Sequence, residues 1–347
     1  MTKVITKAKT DSVKTDFAKK RDCFNGKTTV FGVIGDPVSH SLSPQIHGYF
    51  AGLYDINMAY VPFHVESPKI QEAIKGAHAL GIYGLNVTVP HKKAVMPYLD
   101  HIDPMAQKVG AVNTLVMSAK TGCTGYNTDY IGIQRTIAAL GMSFEGSTVV
   151  VIGAGGSAYA ACIAAAEGGA ARIIIFNRTL ENAVALASHV NSYYNVPIEA
   201  YENEVYENEV YENEVYENEA KKENGIYEDK VYKKNLRSDL PKFDIVIQTT
   251  TLGFGQLKGK SPVFPGFFKG VSLAFDIIYS PWETVFLRQA KEEHVPKIVN
   301  GFPMLVYQAA AAFDLWHERS ILRDKNYDED SDEDFNDHIK ILQGFLQ

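Results

Sequence analysis

Short β-branched and apolar runs, each stopped by glycine or proline, alternate along this chain with longer stretches of helical period, a pattern that predicts an α/β protein. Residues 28–35, Thr-Thr-Val-Phe-Gly-Val-Ile-Gly, form the first run and read as a strand ended by Gly35. Ser43-Pro44 follows as a helix N-cap with proline in the first helical position, opening a helix over residues 43–53. A strand is expected over residues 59–64, a helix over 68–79 and a further strand over 83–89. Residues 129–140 read as a helix leading into a second α/β unit. There, strands are expected at 147–152, 172–177, 244–248 and 272–276, with an alanine-rich helix over 158–167.

One segment fits neither period. Tyr-Glu-Asn-Glu-Val repeats from Tyr201, Tyr206 and Tyr211, and a variant from Tyr216 ends at Ala220. A five-residue repeat cannot keep its tyrosines on one face of a helix or strand, and the copies are too short to stack as a solenoid. A solvated, disordered insertion over residues 197–238 is the expectation, with a partner-binding or self-association segment as the alternative. Residues 1–25 are polar, lack the apolar core of a secretory signal and read as a disordered tail; residues 328–334 read as a solvated acidic tail.

The 347 residues leave room for two domains, each with its own core. The formal net charge of −7 misrepresents the body of the chain. Without the eight glutamates of residues 201–220 it is +1, and without the six acids of 328–334 it is +7, a balance suited to an anionic substrate and a phosphate-bearing cofactor. No Lys/Arg stripe interleaved with aromatics points to nucleic acid, and no run approaches the length of a membrane span. The three cysteines, Cys23, Cys123 and Cys162, are widely spaced, which fits a reducing cytoplasm and gives neither a disulfide framework nor a metal-ligand set.

Two places carry chemistry. In Val149-Val150-Val151-Ile152-Gly153-Ala154-Gly155-Gly156-Ser157-Ala158, a strand, a glycine turn and a helix start follow in the order of a dinucleotide fingerprint. Gly153 permits the tight turn, Gly155 a close approach of backbone to pyrophosphate, and Ala158 is the third small position. The next strand ends in Asn177-Arg178-Thr179, with a guanidinium and no carboxylate, so NADP is favoured over NAD. In Asn86-Val87-Thr88-Val89-Pro90-His91-Lys92, polar groups alternate toward a strand end that Pro90 closes. A lysine there, together with the aspartate of Asn127-Thr128-Asp129, can deliver a proton to an alcohol oxygen, which points to an alcohol–ketone reaction.

These strings resemble the shikimate dehydrogenases, and the likeness extends from about Phe31 to Trp316. It includes Ser41-Leu42-Ser43-Pro44, Gly110-Ala111-Val112-Asn113-Thr114, Asp276-Ile277-Ile278-Tyr279 and Met304-Leu305-Val306-Tyr307-Gln308, in that family's order. The resemblance implies a substrate domain (26–128), a Rossmann-type NADP-binding domain (129–299) and C-terminal helices (300–347) returning to the first, with a catalytic cleft between the domains. It further implies that Ser41 and Ser43 bind the substrate carboxylate with Tyr279 nearby, and that Asn86, Thr88, Asn113, Asp129 and Gln308 hold ring hydroxyls. Lys92 and Asp129 would flank the reacting oxygen. Gly153, Ala154, Gly155, Gly156, Ser157, Ala158, Asn177, Arg178, Thr179, Gly301 and Met304 would hold the cofactor. The implied reaction is reduction of 3-dehydroshikimate to shikimate in chorismate and aromatic amino-acid biosynthesis, by a monomer or homodimer. The alternatives are an NAD-dependent quinate/shikimate dehydrogenase and a non-catalytic metabolite-binding relative. The chain departs from the family's pattern at Gln248-Thr249-Thr250, Tyr130, Pro303 and Leu180-Glu181-Asn182.

Overall fold

The computed structural model describes residues 24–203, 242–318 and 331–346. Most of the expected N-terminal tail, the repeats beyond Asn203 and residues 328–330 of the acidic run lie outside the described residues. The chain forms two units, residues up to Gly141 together with those from Pro303 onward, and residues Met142–Phe302. The helix at Asp129 therefore stays with the first unit, and the boundary falls after it, not at residue 128.

In the first unit, β1 (Thr29–Gly35), α1 (Ser43–Leu53), β2 (Met58–His64), α2 (Ile70–Ala79), β3 (Gly84–Val87) and the short α3 (His91–Ala94) follow in order. Then come β4 (His101–Ile102), α4 (Pro104–Val109), the hairpin β5 (Thr114–Ser118) and β6 (Gly122–Tyr126), and α5 (Asp129–Ala139). The sheet has the order β2-β1-β3-β5-β6-β4: β1 pairs in parallel with β2 and β3, and β5 runs antiparallel to β3 and β6. One face buries Ile34, Leu85, Val87 and Leu115 against Ile70 and Ile74 of α2. Fully burying side chains of this size contributes about 1.5–3 kcal/mol each.

The second unit holds β7 (Thr148–Ile152), α6 (Gly156–Glu167), β8 (Arg172–Asn177), α7 (Leu180–Asn191) and β9 (Ile198–Glu202). It continues with β10 (Ile245–Gln248), β11 (Leu273–Asp276), α8 (Val285–Glu292) and β12 (Lys297–Val299). Its sheet is wholly parallel, in the order β9-β8-β7-β10-β11-β12. Numbered within the unit this is 3-2-1-4-5-6, the doubly wound order whose switch point lies between β7 and β10. The start of the first pentapeptide copy is not part of a solvated loop: Tyr201 and Glu202 lie in β9, and Tyr201 stacks on Phe176 with centroids 5.4 Å apart. Edge pairing with β8 and that ring contact override the missing periodicity.

Two more helices, α9 (Phe302–His317) and α10 (Ser331–Leu346), follow the second unit. From Pro303 they belong to the first. Phe335 of α10 stacks on Tyr307 of α9 at 4.7 Å, and His338 Nδ1 shares a 2.7 Å hydrogen bond with Tyr49 Oη of α1. The acidic run therefore does not end in a tail, because its last residues form the first turn of α10. Asn25, assigned to the N-terminal tail on sequence, is tied to the body: its Oδ1 accepts from Asn57 Nδ2 at 3.3 Å.

Candidate active site

Lys92, Asn113 and Asp129 of the first unit's cluster are each delivered by a turn that the sequence encodes locally. β3 ends at Val87, two residues earlier than expected, and Thr88 and Pro90 turn the chain into α3, which carries Lys92. The backbone of Lys92 is anchored where its carbonyl accepts from Val112 N–H at 2.8 Å. α4 stops at Gly110, whose φ of 69° is a left-handed C-cap that glycine adopts without penalty. Asn113 follows three residues later, with its carbonyl accepting from Val87 N–H at 2.8 Å. In Asn127-Thr128-Asp129 the first residue does structural work: its Oδ1 accepts from Tyr130 N–H at 3.2 Å and its Nδ2 donates to the Ala111 carbonyl at 2.9 Å. That fixes the start of α5 and leaves Thr128 and Asp129 facing Asn113.

The resulting cluster is continuous. Lys92 Nζ donates to Asp129 Oδ2 at 2.6 Å, with both side chains largely buried. The other carboxylate oxygen accepts from Asn113 Nδ2 at 2.9 Å. Asn113 Oδ1 accepts from Thr128 N–H at 2.7 Å and from Thr114 Oγ1 at 3.0 Å, and Gln308 Oε1 of α9 lies 3.4 Å from both Asn113 Nδ2 and Thr128 Oγ1. Asn86 Nδ2 donates to Thr114 Oγ1 at 3.1 Å. α9 comes this close to α5 because Gly132 has no side chain: a Cβ there would stand 2.7 Å from the Met304 carbonyl oxygen.

Of the residues expected on the substrate, Lys92, Asp129, Asn86, Asn113 and Gln308 are thus joined directly. Thr88 is half-buried, with its methyl group against Gly35. Ser41 Oγ accepts from Ser43 N–H at 3.3 Å. Ser43 is not the expected cap. It lies buried inside α1, and the helix start has no side-chain cap bond. Tyr60, Thr114 and Thr128 belong to the network without having been singled out on sequence.

Tyr279 belongs to the second unit, in the turn after β11. Asp276 closes that turn, with Oδ1 accepting from Ile278 N–H at 3.0 Å and Oδ2 from Thr284 Oγ1 at 2.6 Å. Full burial pushes its carboxyl up to about 7, against the pull of those two bonds. Gly301 is pressed against the same turn: a Cβ there would collide with the Ile277 carbonyl oxygen, and its N–H donates to the Ile278 carbonyl at 3.0 Å. Met304 is buried and its backbone faces Gly132 in the first unit.

The glycine turn after β7 has the features a dinucleotide needs. Gly153 adopts φ 115°, where a Cβ would stand 2.6 Å from Thr249 Oγ1, and Gly155 has nothing within 4 Å of its Cβ direction. Ala154, Gly156 and Ser157 continue into the start of α6, whose N-terminal N–H groups lack a side-chain cap, while Ala158 is fully buried beneath. Open space over a helix N-terminus suits a pyrophosphate. At the end of β8, Asn177 Nδ2 donates to the Thr179 carbonyl at 2.8 Å, holding a turn from which Arg178 is exposed. The departures at residues 248–250 also have local reasons. Gln248 Oε1 accepts from Thr250 N–H at 2.7 Å and its Nδ-equivalent amide, Nε2, donates to the Leu252 carbonyl at 2.8 Å, which closes the loop after β10. Pro303 sits in the first turn of α9, where a missing N–H costs nothing.

Comparison with known proteins agrees with this arrangement. Residues 33–115 match the shikimate dehydrogenase substrate binding domain, and residues 136–245 match shikimate / quinate 5-dehydrogenase. Shikimate dehydrogenase (NADP(+)) of Caldanaerobacter subterraneus subsp. tengcongensis is 38% identical over 292 residues, covering 83% of this chain and 91% of that protein. The Methanococcus aeolicus protein of the same name is 36% identical, covering 84% and 93%. A crystal structure of a shikimate dehydrogenase in complex with NADP+ superposes with a TM-score of 0.70 at 34% identity, covering 86% of this chain and 92% of that one. The Listeria monocytogenes shikimate 5-dehydrogenase, crystallised with shikimate and NAD, gives 0.69 at 27% identity, covering 87% and 96%. With both halves matched, and the lysine–aspartate cluster and glycine turn built as described, the chain belongs to the shikimate dehydrogenase family.

Proposed function

We propose that this protein catalyses the reversible NADPH-dependent reduction of 3-dehydroshikimate to shikimate, a step toward chorismate and the aromatic amino acids. The observation that carries the proposal is the 2.6 Å Lys92–Asp129 pair set among amide and hydroxyl groups. Bound NADPH supplies the hydride to the C3 carbonyl. Lys92 Nζ gives its proton to the oxygen as negative charge develops there. Asp129 holds that ammonium in place, and it cannot swing away because Asn113 holds its second oxygen. Asn86, Asn113 and Gln308 offer donors and acceptors that match ring hydroxyls, and Thr88 stands beside them. The hydroxyls of Ser41 and Ser43 are donors for a carboxylate. In the second unit, the glycine turn and the start of α6 take the pyrophosphate, and Arg178 takes the 2′-phosphate. Cytoplasmic work fits the free, buried thiols of Cys123 and Cys162.

The test is the rise in nicotinamide absorbance with shikimate and NADP+, repeated with quinate and with NAD+. Turnover confined to shikimate and NADP+ is expected. Preference for quinate or NAD+ would move the chain to the quinate-type reading, and shikimate binding without turnover would make it a non-catalytic relative. Arg178→Gln should raise the KM for NADP+ about tenfold and leave that for NAD+ unchanged, the loss of one charge-assisted bond at an exposed site. An unaltered NADP+/NAD+ preference would remove Arg178 from the cofactor site.

A further inference from the structure

The strands β7, β8 and β9, with α6 and α7 between them, make up one half of the second unit's doubly wound sheet. The strand ends of such a half are where one nucleotide of a dinucleotide rests. The ends of β8 and β9 are fixed to each other. Asn177, the last residue of β8, stands opposite Glu202, the last residue of β9, in the parallel register. One residue further on, Asn203 N–H donates to the Asn177 carbonyl at 2.9 Å. Asn203 is itself buried, and its Nδ2 donates to the Pro262 carbonyl at 3.1 Å. The backbone of Glu202 is thereby held against the turn Asn177-Arg178-Thr179.

The two acids of β9 have different surroundings. Glu199 lies on the face of Tyr201, accepts from the tyrosine hydroxyl at 2.6 Å and pairs with Arg172 at 3.3 Å. Glu202 projects from the opposite face, the one it shares with Asn177. It is exposed and has no hydrogen bond or ion pair among the described residues. Glu181, in the first turn of α7, is exposed as well. The rim around Arg178 thus carries two carboxylates to one guanidinium. A 2′-phosphate brings up to two negative charges to such a rim, whereas a ribose 2′-hydroxyl brings a donor that a carboxylate accepts.

We infer that Glu202 is a specificity-determining residue of the cofactor site, its carboxylate opposing Arg178 and reducing the margin by which NADP is held over NAD. The inference rests on the proposed reading of Arg178 as the partner of the 2′-phosphate. It adds a residue that lies outside the dinucleotide fingerprint and reaches the site through strand pairing. Because Glu202 is exposed, its influence is a through-water one that salt weakens.

Glu202→Gln keeps the length of the side chain and removes its charge. Calorimetric titration of the full chain at low ionic strength should show the Kd for NADP+ falling about fivefold and that for NAD+ staying within about twofold. In about 0.5 M salt the gain for NADP+ should shrink to less than about twofold. Glu202→Lys should lower the NADP+ Kd by about as much again. Glu199→Gln makes the same change of charge on the opposite face of the strand and should leave the ratio of the two constants unaltered. A merely structural effect at Glu202 would move both nucleotides together and leave that ratio where it was. If the wild type turns over shikimate with NADP+ while Glu202→Gln keeps the wild-type ratio, or Glu199→Gln shifts it equally, the inference is overturned and the proposed function stands. A wild type that binds neither nucleotide overturns both.

Discussion

Lys92→Met is expected to lower turnover with shikimate by about 10²–10⁴-fold, the usual worth of a positioned general acid, while shikimate affinity changes by less than about fivefold. Methionine preserves much of the apolar stem, so what is lost is the ammonium. The reason to expect a loss in turnover more than in binding lies in the geometry. Nζ is held by Asp129 at 2.6 Å, and its worth appears only when charge develops on the reacting oxygen. Turnover within about threefold of wild type would remove Lys92 from the chemistry.

The same substitution has a second consequence that can be separated from the first. It leaves a buried carboxylate with Asn113 but without its cation. Removing one member of a buried pair commonly costs about 3–5 kcal/mol, because the survivor stays charged and desolvated. Lys92→Met combined with Asp129→Asn removes the charge and should recover much of the stability without recovering turnover. A double variant that regained activity with stability would show the first defect to be one of folding.

What could be read from the chain before its structure was uneven, for reasons visible in particular elements. β7, the glycine turn and α6 were legible because Val149–Ile152 is an unbroken buried run that a glycine of positive φ must end. β6 was not. Its sequence, Gly-Cys-Thr-Gly-Tyr, carries two glycines that weaken any strand signal. Both are required by contacts remote in sequence: a Cβ on Gly122 would meet Asp100 Oδ2, and one on Gly125 would stand 2.5 Å from Leu99 Cδ1. In the cluster, the short motifs named Asn86, Lys92, Asn113 and Asp129, which the fold brings together, while Tyr60, Thr114 and Thr128, which join them, were not singled out. Thr114 reaches Asn86 because the β3–β5 register sets those two residues opposite each other. Tyr60 reaches it across an intervening strand. Register and cross-strand reach belong to the folded sheet, and no local pattern encodes them. Tyr279 and Asp276 mark the same limit, since the motif named the tyrosine while the aspartate that closes its turn showed its role only through burial.

Acid is expected to destabilise the first unit through His47. Its ring is fully buried between Tyr60, at 4.3 Å, and Trp316, at 5.1 Å, and both ring nitrogens lack a hydrogen-bond partner. Burial pulls it down to about 3; neighbouring Asn86 opposes that shift without meeting hydrogen-bond geometry, and His317 adds to it. The unfolded chain takes up this proton near 6.5, whereas the folded chain resists it until about 3. Stability is therefore complete above pH 6.5 and is lost progressively as pH falls toward 3, at about 1.4 kcal/mol per pH unit. Between pH 7 and 4.5 the loss through this one residue should be about 2–3 kcal/mol. Asp276 in the second unit has the opposite sign. Its raised carboxyl keeps its full stabilising effect below the unfolded value of 3.8 and loses it as pH rises through about 7, so a whole-protein melt would mix the two responses. Urea unfolding followed by tryptophan fluorescence in a Trp282→Phe background, which leaves Trp316, 5.1 Å from the His47 ring, as the one reporter, reads the right unit. His47→Phe keeps a flat ring in the same slot and gives up no hydrogen bond. Any constant packing cost cancels when slopes are compared, so the variant should be less sensitive to acid than the wild type by that same 2–3 kcal/mol or so. Equal sensitivity in the two proteins would mean that His47 is protonated in the fold without penalty, and the ring would then have to find a partner that the stack with Tyr60 does not provide.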